Sequence, residues 1–164
     1  MSTPDLQNLY HELILDHSRR PQGFGLVTAA AAVSHQINPT CGDEITLELH
    51  LEPGTATVSS VRWEGHGCAI SQASASLLAG LAPGLSLAEL TVRIESIREV
   101  MRSRGTIEPD EELLGDAIAL GGVSKYVARV KCAMLAWVAA ENTIAQVAAA
   151  SSAASVVGPG DPVE

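Results

Sequence analysis

Three cysteines and one aspartate carry the chemistry this sequence could perform. Cys41 and Asp43 sit two residues apart in Asn38-Pro39-Thr40-Cys41-Gly42-Asp43, with only a glycine between them. Glycine reaches backbone conformations closed to other residues, so both side chains can turn toward one point. Thiolate sulfur and carboxylate oxygen are both zinc ligands, but two ligands do not make a site. The remaining cysteines are Cys68 and Cys132, too far apart for the paired C-x-x-C pattern of a zinc finger. Spacing alone therefore leaves a metal site open. An odd number of thiols in a reducing compartment reads as metal ligands, nucleophiles or buried apolar residues rather than disulfide partners.

Taken singly, the candidates differ in weight. Cys41, in its turn beside Asp43, reads as functional, whereas Asp43 alone would pass as a turn residue. Cys68 follows Gly65-His66-Gly67 at the start of a helix, where the positive end of the dipole favours a thiolate. It reads equally as functional or structural. Cys132 on an apolar helix reads as a small core residue, since free cysteine is among the most buried types. His66 could be a ligand, an acid–base group or a half-exposed loop histidine. His11, His35 and His50 fall on polar faces and carry no signal. Arg129 and Lys131 offer positive charge near Cys132, or are simply solvated; a protonated Lys131 cannot be a ligand.

The elements that must position these residues are legible. Residues 3–19 predict an amphipathic helix, with Thr3 as cap, Pro4 at the first position, and Leu6, Leu9, Leu13 and Ile14 as the apolar stripe. Asp16 and His17 fall at its solvated end, His17 favourable against the dipole. Val33 to Ile37 predicts a short strand. From Glu44 to Leu51, Ile45, Leu47, Leu49 and Leu51 alternate with polar residues, the period of a sheet buried on one face. Pro53-Gly54 turns the chain, and Thr57 to Trp63 returns as an antiparallel strand. A small-residue helix follows to about Ala82, another spans Leu87 to Met101, and a shorter helical piece ends at Gly121-Gly122. The final helix, from Val123 to about Ala149, directs Tyr126, Val130, Met134, Trp137 and Ile144 inward. Three consecutive strands with the helices gathered elsewhere predict an α+β fold.

Length and composition bound the rest. At 164 residues the chain predicts one domain, residues 1–150, with residues 151–164 as a Ser-, Ala-, Gly- and Pro-rich disordered tail. A net charge of −9 excludes nucleic acid, which needs clustered Lys and Arg. No apolar run is read as reaching the roughly 20 residues that span a bilayer. The opening Met1-Ser2-Thr3-Pro4-Asp5 lacks the features of a secretory signal, so a cytoplasmic protein without membrane contact is expected.

Taken together, Asn38-Pro39-Thr40-Cys41-Gly42-Asp43, Gly65-His66-Gly67-Cys68-Ala69-Ile70-Ser71 and Arg129-Val130-Lys131-Cys132-Ala133 resemble the IscU-like iron–sulfur cluster assembly family. Leu9-Tyr10 with Glu12, Asp16-His17 and Pro21 resembles that family's opening, and the resemblance covers residues 6–145. It implies a small antiparallel three-stranded sheet packed against a cluster of helices. Scaffold members carry a histidine ligand immediately before the third cysteine; here that position is Lys131. The long Leu81–Gly122 stretch also accommodates an insertion between the second and third cysteines. On both counts the chain is similar to the SufU type.

That resemblance implies a zinc-dependent sulfurtransferase, with zinc held by Cys41, Asp43, Cys68 and Cys132 and sulfur accepted on Cys41. Arg129 or Lys131 would offset the negative charge of such a site. The implied partner is a SufS-type cysteine desulfurase, which carries the pyridoxal phosphate and the persulfide. A partner histidine entering the zinc shell would free Cys41, and the sulfur would pass to downstream iron–sulfur assembly machinery. Two alternatives stay open: a scaffold that assembles a transient iron–sulfur cluster on the same residues, with iron in place of zinc, and a zinc-stabilised interaction protein without chemistry of its own.

Overall fold

The structure is a computed structural model that describes residues 3–156. Strands β1 (Ala32–Asn38), β2 (Asp43–Leu51) and β3 (Val58–His66) form an antiparallel sheet in the order β1-β2-β3. Ile45, Leu47 and Leu49 face inward from β2, and Val58, Val61 and Trp63 join them from β3. Each is almost fully buried, and burying a side chain of this size contributes about 1.5–3 kcal/mol.

Helices cover the inner face. Helix α1 is Thr3–Arg19, α2 is Ala69–Leu81, α3 is Leu87–Arg102 and α5 is Val127–Val156. Between α3 and α5 lie a single turn, α4 (Glu111–Leu114), and a 3-10 segment, Gly115–Lys125. Helix α3 starts at Ser86 with reciprocal hydrogen bonds to Glu89, which satisfy two otherwise unpaired N–H groups. Its inner face, Leu90, Ile94, Ile97 and Met101, follows the expected spacing. Helices α2 and α5 are joined inside the core by Ser74, whose hydroxyl donates to Ala133 O and accepts from Trp137 Nε1 at 2.8 Å. A strap, residues 22–27, runs along the free edge of β3, where Trp63 N donates to Gly23 O and Gly25 N to Trp63 O. Trp63 Nε1 donates to Gln22 O from the inner face, while from the outer face Arg62 donates to Gly25 O and Phe24 O and Glu48 accepts from Val27 N.

Several expectations need correcting. On α1, Leu6 is 37% and Leu9 51% exposed, while His17 is buried with Nδ1 2.7 Å from Ser76 Oγ. The helix docks on α2 through the His17 side of its stripe, so His17 is no solvated terminus. Tyr126, expected inward, is 65% exposed, because α5 begins only after it. The 3-10 segment runs through Gly121-Gly122 rather than ending there. Helix α5 continues to Val156, so part of the stretch expected to be unstructured from Ser151 is helical; residues 157–164 lie outside the described residues. Contrary to the sequence expectation, Val127–Ser152 is apolar and long enough to cross a bilayer by length and composition. Its many alanines produce that property, and here Ala133, Ala136, Trp137, Ala139 and Ala140 of the same stretch form the core of the fold.

Candidate metal centre

The centre is assembled from a hairpin tip and two helices. Asn38 and Asp43 are the last paired residues of β1 and β2, so Pro39, Thr40, Cys41 and Gly42 form the connecting loop. The loop is closed by Gly42 N–H donating to Asn38 O at 2.8 Å, and Gly42 has φ 74°, in the left-handed region that glycine enters without strain. This leaves Cys41 exposed on the tip and sends Asp43 into the protein, where it is 2% exposed. Cys68 caps the N-terminus of α2, and Cys132 is buried on α5.

These residues converge. Cys41 Sγ lies 3.2 Å from Asp43 Oδ2 and 3.4 Å from Cys132 Sγ. One ligand atom from each of Cys41, Asp43 and Cys132 falls within 4.8 Å of the others. Cys68 stands at the edge of this trio: its Sγ is 3.8 Å from Asp43 Oδ2, and its backbone N–H donates to Asp43 Oδ1 at 3.1 Å. Asp43 thus ties the hairpin tip to the start of α2, at the positive end of that helix dipole. A zinc tetrahedron with sulfur at about 2.3 Å and oxygen at about 2.0–2.2 Å has edges of roughly 3.6–3.8 Å. The observed separations of 3.2, 3.4 and 3.8 Å lie within a few tenths of an ångström of those edges, so the donor set suits tetrahedral zinc.

The electrostatics agree with that geometry. Burial opposes ionisation of Asp43, but hydrogen bonds from Cys132, Cys41 and Cys68 outweigh it and hold the carboxyl below its ordinary range. Burial, then the neighbouring Asp43 carboxylate and the other cysteines, pushes the Cys132 thiol far up. Without a cation, Asp43 therefore keeps its carboxylate charge and Cys132 beside it resists ionisation.

Two contributors to the centre carry no assigned role in the sequence reading. Asn38 is 5% exposed; its Nδ2 donates to Cys41 Sγ at 3.0 Å and its Oδ1 accepts from Thr40 N at 3.1 Å. An asparagine bonding the backbone two residues on is a turn signal, and Asn38-Pro39-Thr40 displays it. Gly67 packs against Asp43 so closely that a Cβ there would lie 2.5 Å from Oδ1 and 2.8 Å from Cγ. Other candidates stand apart. His66 Nε2 meets Glu44 Oε2 at 3.0 Å on the outer sheet face, not the cysteines. Arg129 and Lys131 are exposed on α5, and Lys131 lines a shallow groove with Asn38, Pro39 and Thr40 beside the Cys41 loop.

Comparison with known proteins fits this arrangement. Residues 9–133 match the model of the NifU-like N terminal domain. The zinc-dependent sulfurtransferase SufU of Bacillus subtilis is 36% identical over 143 residues, covering 87% of this chain and 93% of that relative. The iron–sulfur cluster assembly scaffold protein IscU of Streptococcus pyogenes is 34% identical over 144 residues, covering 88% and 87%. A crystal structure from Fervidobacterium islandicum, described as an assembly scaffold protein for the SUF system, superposes with a TM-score of 0.71 at 32% identity, covering 81% of this chain and 94% of that one. A match over most of the chain, with all three cysteines falling inside the matched residues, makes this protein a member of the NifU-like N-terminal domain family, on its SufU- and IscU-like branch.

Proposed function

We propose that the protein is a zinc-dependent sulfurtransferase of iron–sulfur cluster assembly, taking sulfur on Cys41 from the persulfide of a SufS-type, pyridoxal-phosphate cysteine desulfurase. The observation that carries this reading is an exposed Cys41 thiol at a hairpin tip, next to a buried Cys132 preceded by Lys131 rather than histidine. Cys41, Asp43, Cys68 and Cys132 would hold the zinc. When bound, the metal keeps its thiol ligands ionised and closed to oxidation.

The chain's own residues position the reacting sulfur. Asn38 Nδ2–H and Asp43 Oδ2 hold Cys41 Sγ from two sides, while the exposed tip leaves its outer side open to a partner. The thiolate is the nucleophile in thiol–disulfide chemistry. Cys41 attacks the terminal sulfur of the partner's persulfide: a new S–S bond forms on Cys41, the partner's S–S bond breaks, and the partner cysteine leaves as a thiolate. The transferred sulfur keeps its own proton or charge, so the exchange needs no external oxidant or reductant. Exposed Arg129 and Lys131 place positive charge near the approach path, in a chain of net charge −9. Three free thiols so close together call for a reducing compartment such as the cytoplasm.

The scaffold reading is favoured by relatives named as IscU scaffolds and by the same thiolates, which also suit an iron–sulfur cluster. Cysteine turnover by the cognate desulfurase separates the two. The sulfurtransferase reading predicts a large rise with the zinc-loaded protein and none with Cys41→Ser. No rise, together with retained iron and sulfide after incubation with Fe²⁺, would replace it with the scaffold.

A further inference from the structure

Asn38 and Asp43 are partners on the last rung of the β1–β2 hairpin, and each holds one end of the cysteine centre. Asp43 accepts the Cys68 N–H at the start of α2, while Asn38 donates to Cys41 at the tip. The Asn38 side chain is buried and its amide has one orientation. Oδ1 accepts from Thr40 N at 3.1 Å, so Nδ2 turns to Cys41 Sγ, 3.0 Å away. Pro39 lies between them with a fixed φ and no N–H, which leaves the turn that sets this orientation little freedom. The three sulfurs differ in what they receive. Among the described residues, only Cys41 Sγ accepts a hydrogen bond from nitrogen. Cys132 Sγ meets Cys41 Sγ, and Cys68 Sγ meets Asp43 Oδ2 at 3.8 Å. We propose that Asn38 is a positioning residue that selects Cys41, out of three thiolate ligands, as the one that lets go of the metal and accepts sulfur.

An N–H donor draws electron density from a sulfur lone pair, and that density is what a thiolate gives to a metal. Groups hydrogen-bonded to ligands tune them in this way. With Asn38 on its sulfur, Cys41 is the weakest of the three sulfur donors, and Cys68 and Cys132 keep the metal on the protein when it leaves. A hydrogen bond to an ionised acceptor is a strong one. It persists after release, so the freed Cys41 thiolate stays at the tip with its outer side open. Exposure alone would not achieve this: it admits a reagent to Cys41 but does not weaken its hold on the metal. The sulfur step rests on the sulfurtransferase reading above; the choice of ligand belongs to the metal centre itself and is measured without a desulfurase.

Asn38→Ser tests the proposal on the zinc-loaded full chain. A serine hydroxyl can still accept from Thr40 N, as in a Ser/Thr turn, but is too short to reach Cys41 Sγ. Zinc affinity is measured by chelator competition, and alkylation of each cysteine by iodoacetamide is followed by peptide mass spectrometry. Alkylation consumes sulfur that has let go of the metal, so its rate reads release. The expected result is zinc affinity at or above that of wild type, with Cys41 alkylation slowed by about tenfold, the size of one hydrogen bond to an ionised group. The proposal is overturned if Cys41 in the variant reacts as fast as in wild type, or faster, which is what a merely loosened loop would give. With desulfurase and cysteine added, Asn38→Ser should gain less sulfur on Cys41 than wild type. If wild type gains none, the sulfurtransferase reading fails, while the alkylation rates still decide the role of Asn38.

Discussion

Replacing Ser74 by alanine asks whether one buried hydroxyl keeps two of the cysteines in register. Ser74 lies on α2, the helix that Cys68 caps, and donates to the carbonyl of Ala133, the residue after Cys132. It also accepts the indole N–H of Trp137, and both Ser74 and Trp137 are fully buried. In Ser74→Ala the Ala133 carbonyl lies inside α5 and keeps its helical partner, so the loss falls on the indole N–H. A buried donor left without an acceptor costs about 1–3 kcal/mol. For a domain of this size each kcal/mol moves the melting temperature by about 2–4 °C. Urea unfolding of the zinc-free protein, followed by tryptophan fluorescence, should show that loss, and zinc affinity should weaken as α2 and α5 loosen. Ser76→Ala is the control. Ser76 is equally buried on α2 but bonds His17 and Gln22 N, so it should cost stability without loosening the cysteines. The reasoning is refuted if Ser74→Ala changes stability by less than about 0.5 kcal/mol, or if Ser76→Ala weakens zinc as much as Ser74→Ala does.

Three further outcomes follow from the centre. Asp43→Ala removes both a donor atom and the acceptor for Cys68 N–H, so zinc affinity measured by chelator competition should fall at least about tenfold, or 1.4 kcal/mol; an unchanged affinity would remove Asp43 from the ligand set. Gly67→Ala drives a methyl group against the Asp43 carboxylate and should weaken zinc binding while far-UV circular dichroism stays native; zinc binding at wild-type strength would show that Asp43 can move aside without loss. The third concerns pH. Because burial and Asp43 raise the Cys132 thiol, its proton is still bound near neutrality and must leave when zinc enters. Zinc affinity should therefore rise with pH, by about tenfold per unit for each proton displaced, and calorimetry in buffers of different ionisation enthalpy should detect the release. A flat profile between pH 6 and 8 would contradict this.

Local pattern announced much of this molecule. The alternation along Ile45, Leu47 and Leu49 specified which face of β2 is buried, because a strand has only two faces. A helix has a continuous circumference, and that is where sequence reasoning went astray. The stripe of α1 was visible, but its docking through His17 depends on Ser76, 59 residues further on. Tyr126 fits the periodicity of α5, yet it is the extended residue between the 3-10 segment and α5, and its ring is left in solvent. At the centre, Cys41 and Asp43 were legible because one turn holds both. Cys132 was the opposite case: alone on an apolar helix it looked like core, and it is core at 1% exposure, yet its sulfur lies beside Cys41. Burial and ligation are compatible for a thiol, so neither excludes the other. The Asp43 bond to the α2 N-terminus and the close approach of Gly67 are tertiary facts that spacing does not encode.

The account rests on Cys41 receiving sulfur, and peptide mass spectrometry tests that directly. The zinc-loaded protein is incubated with the desulfurase and cysteine, free thiols and persulfides are alkylated, and each cysteine peptide is weighed. The prediction is one added sulfur atom on the Cys41 peptide, with Cys68 and Cys132 unmodified. Added sulfur confined to Cys68 or Cys132, or no added sulfur while the desulfurase turns over, would contradict it.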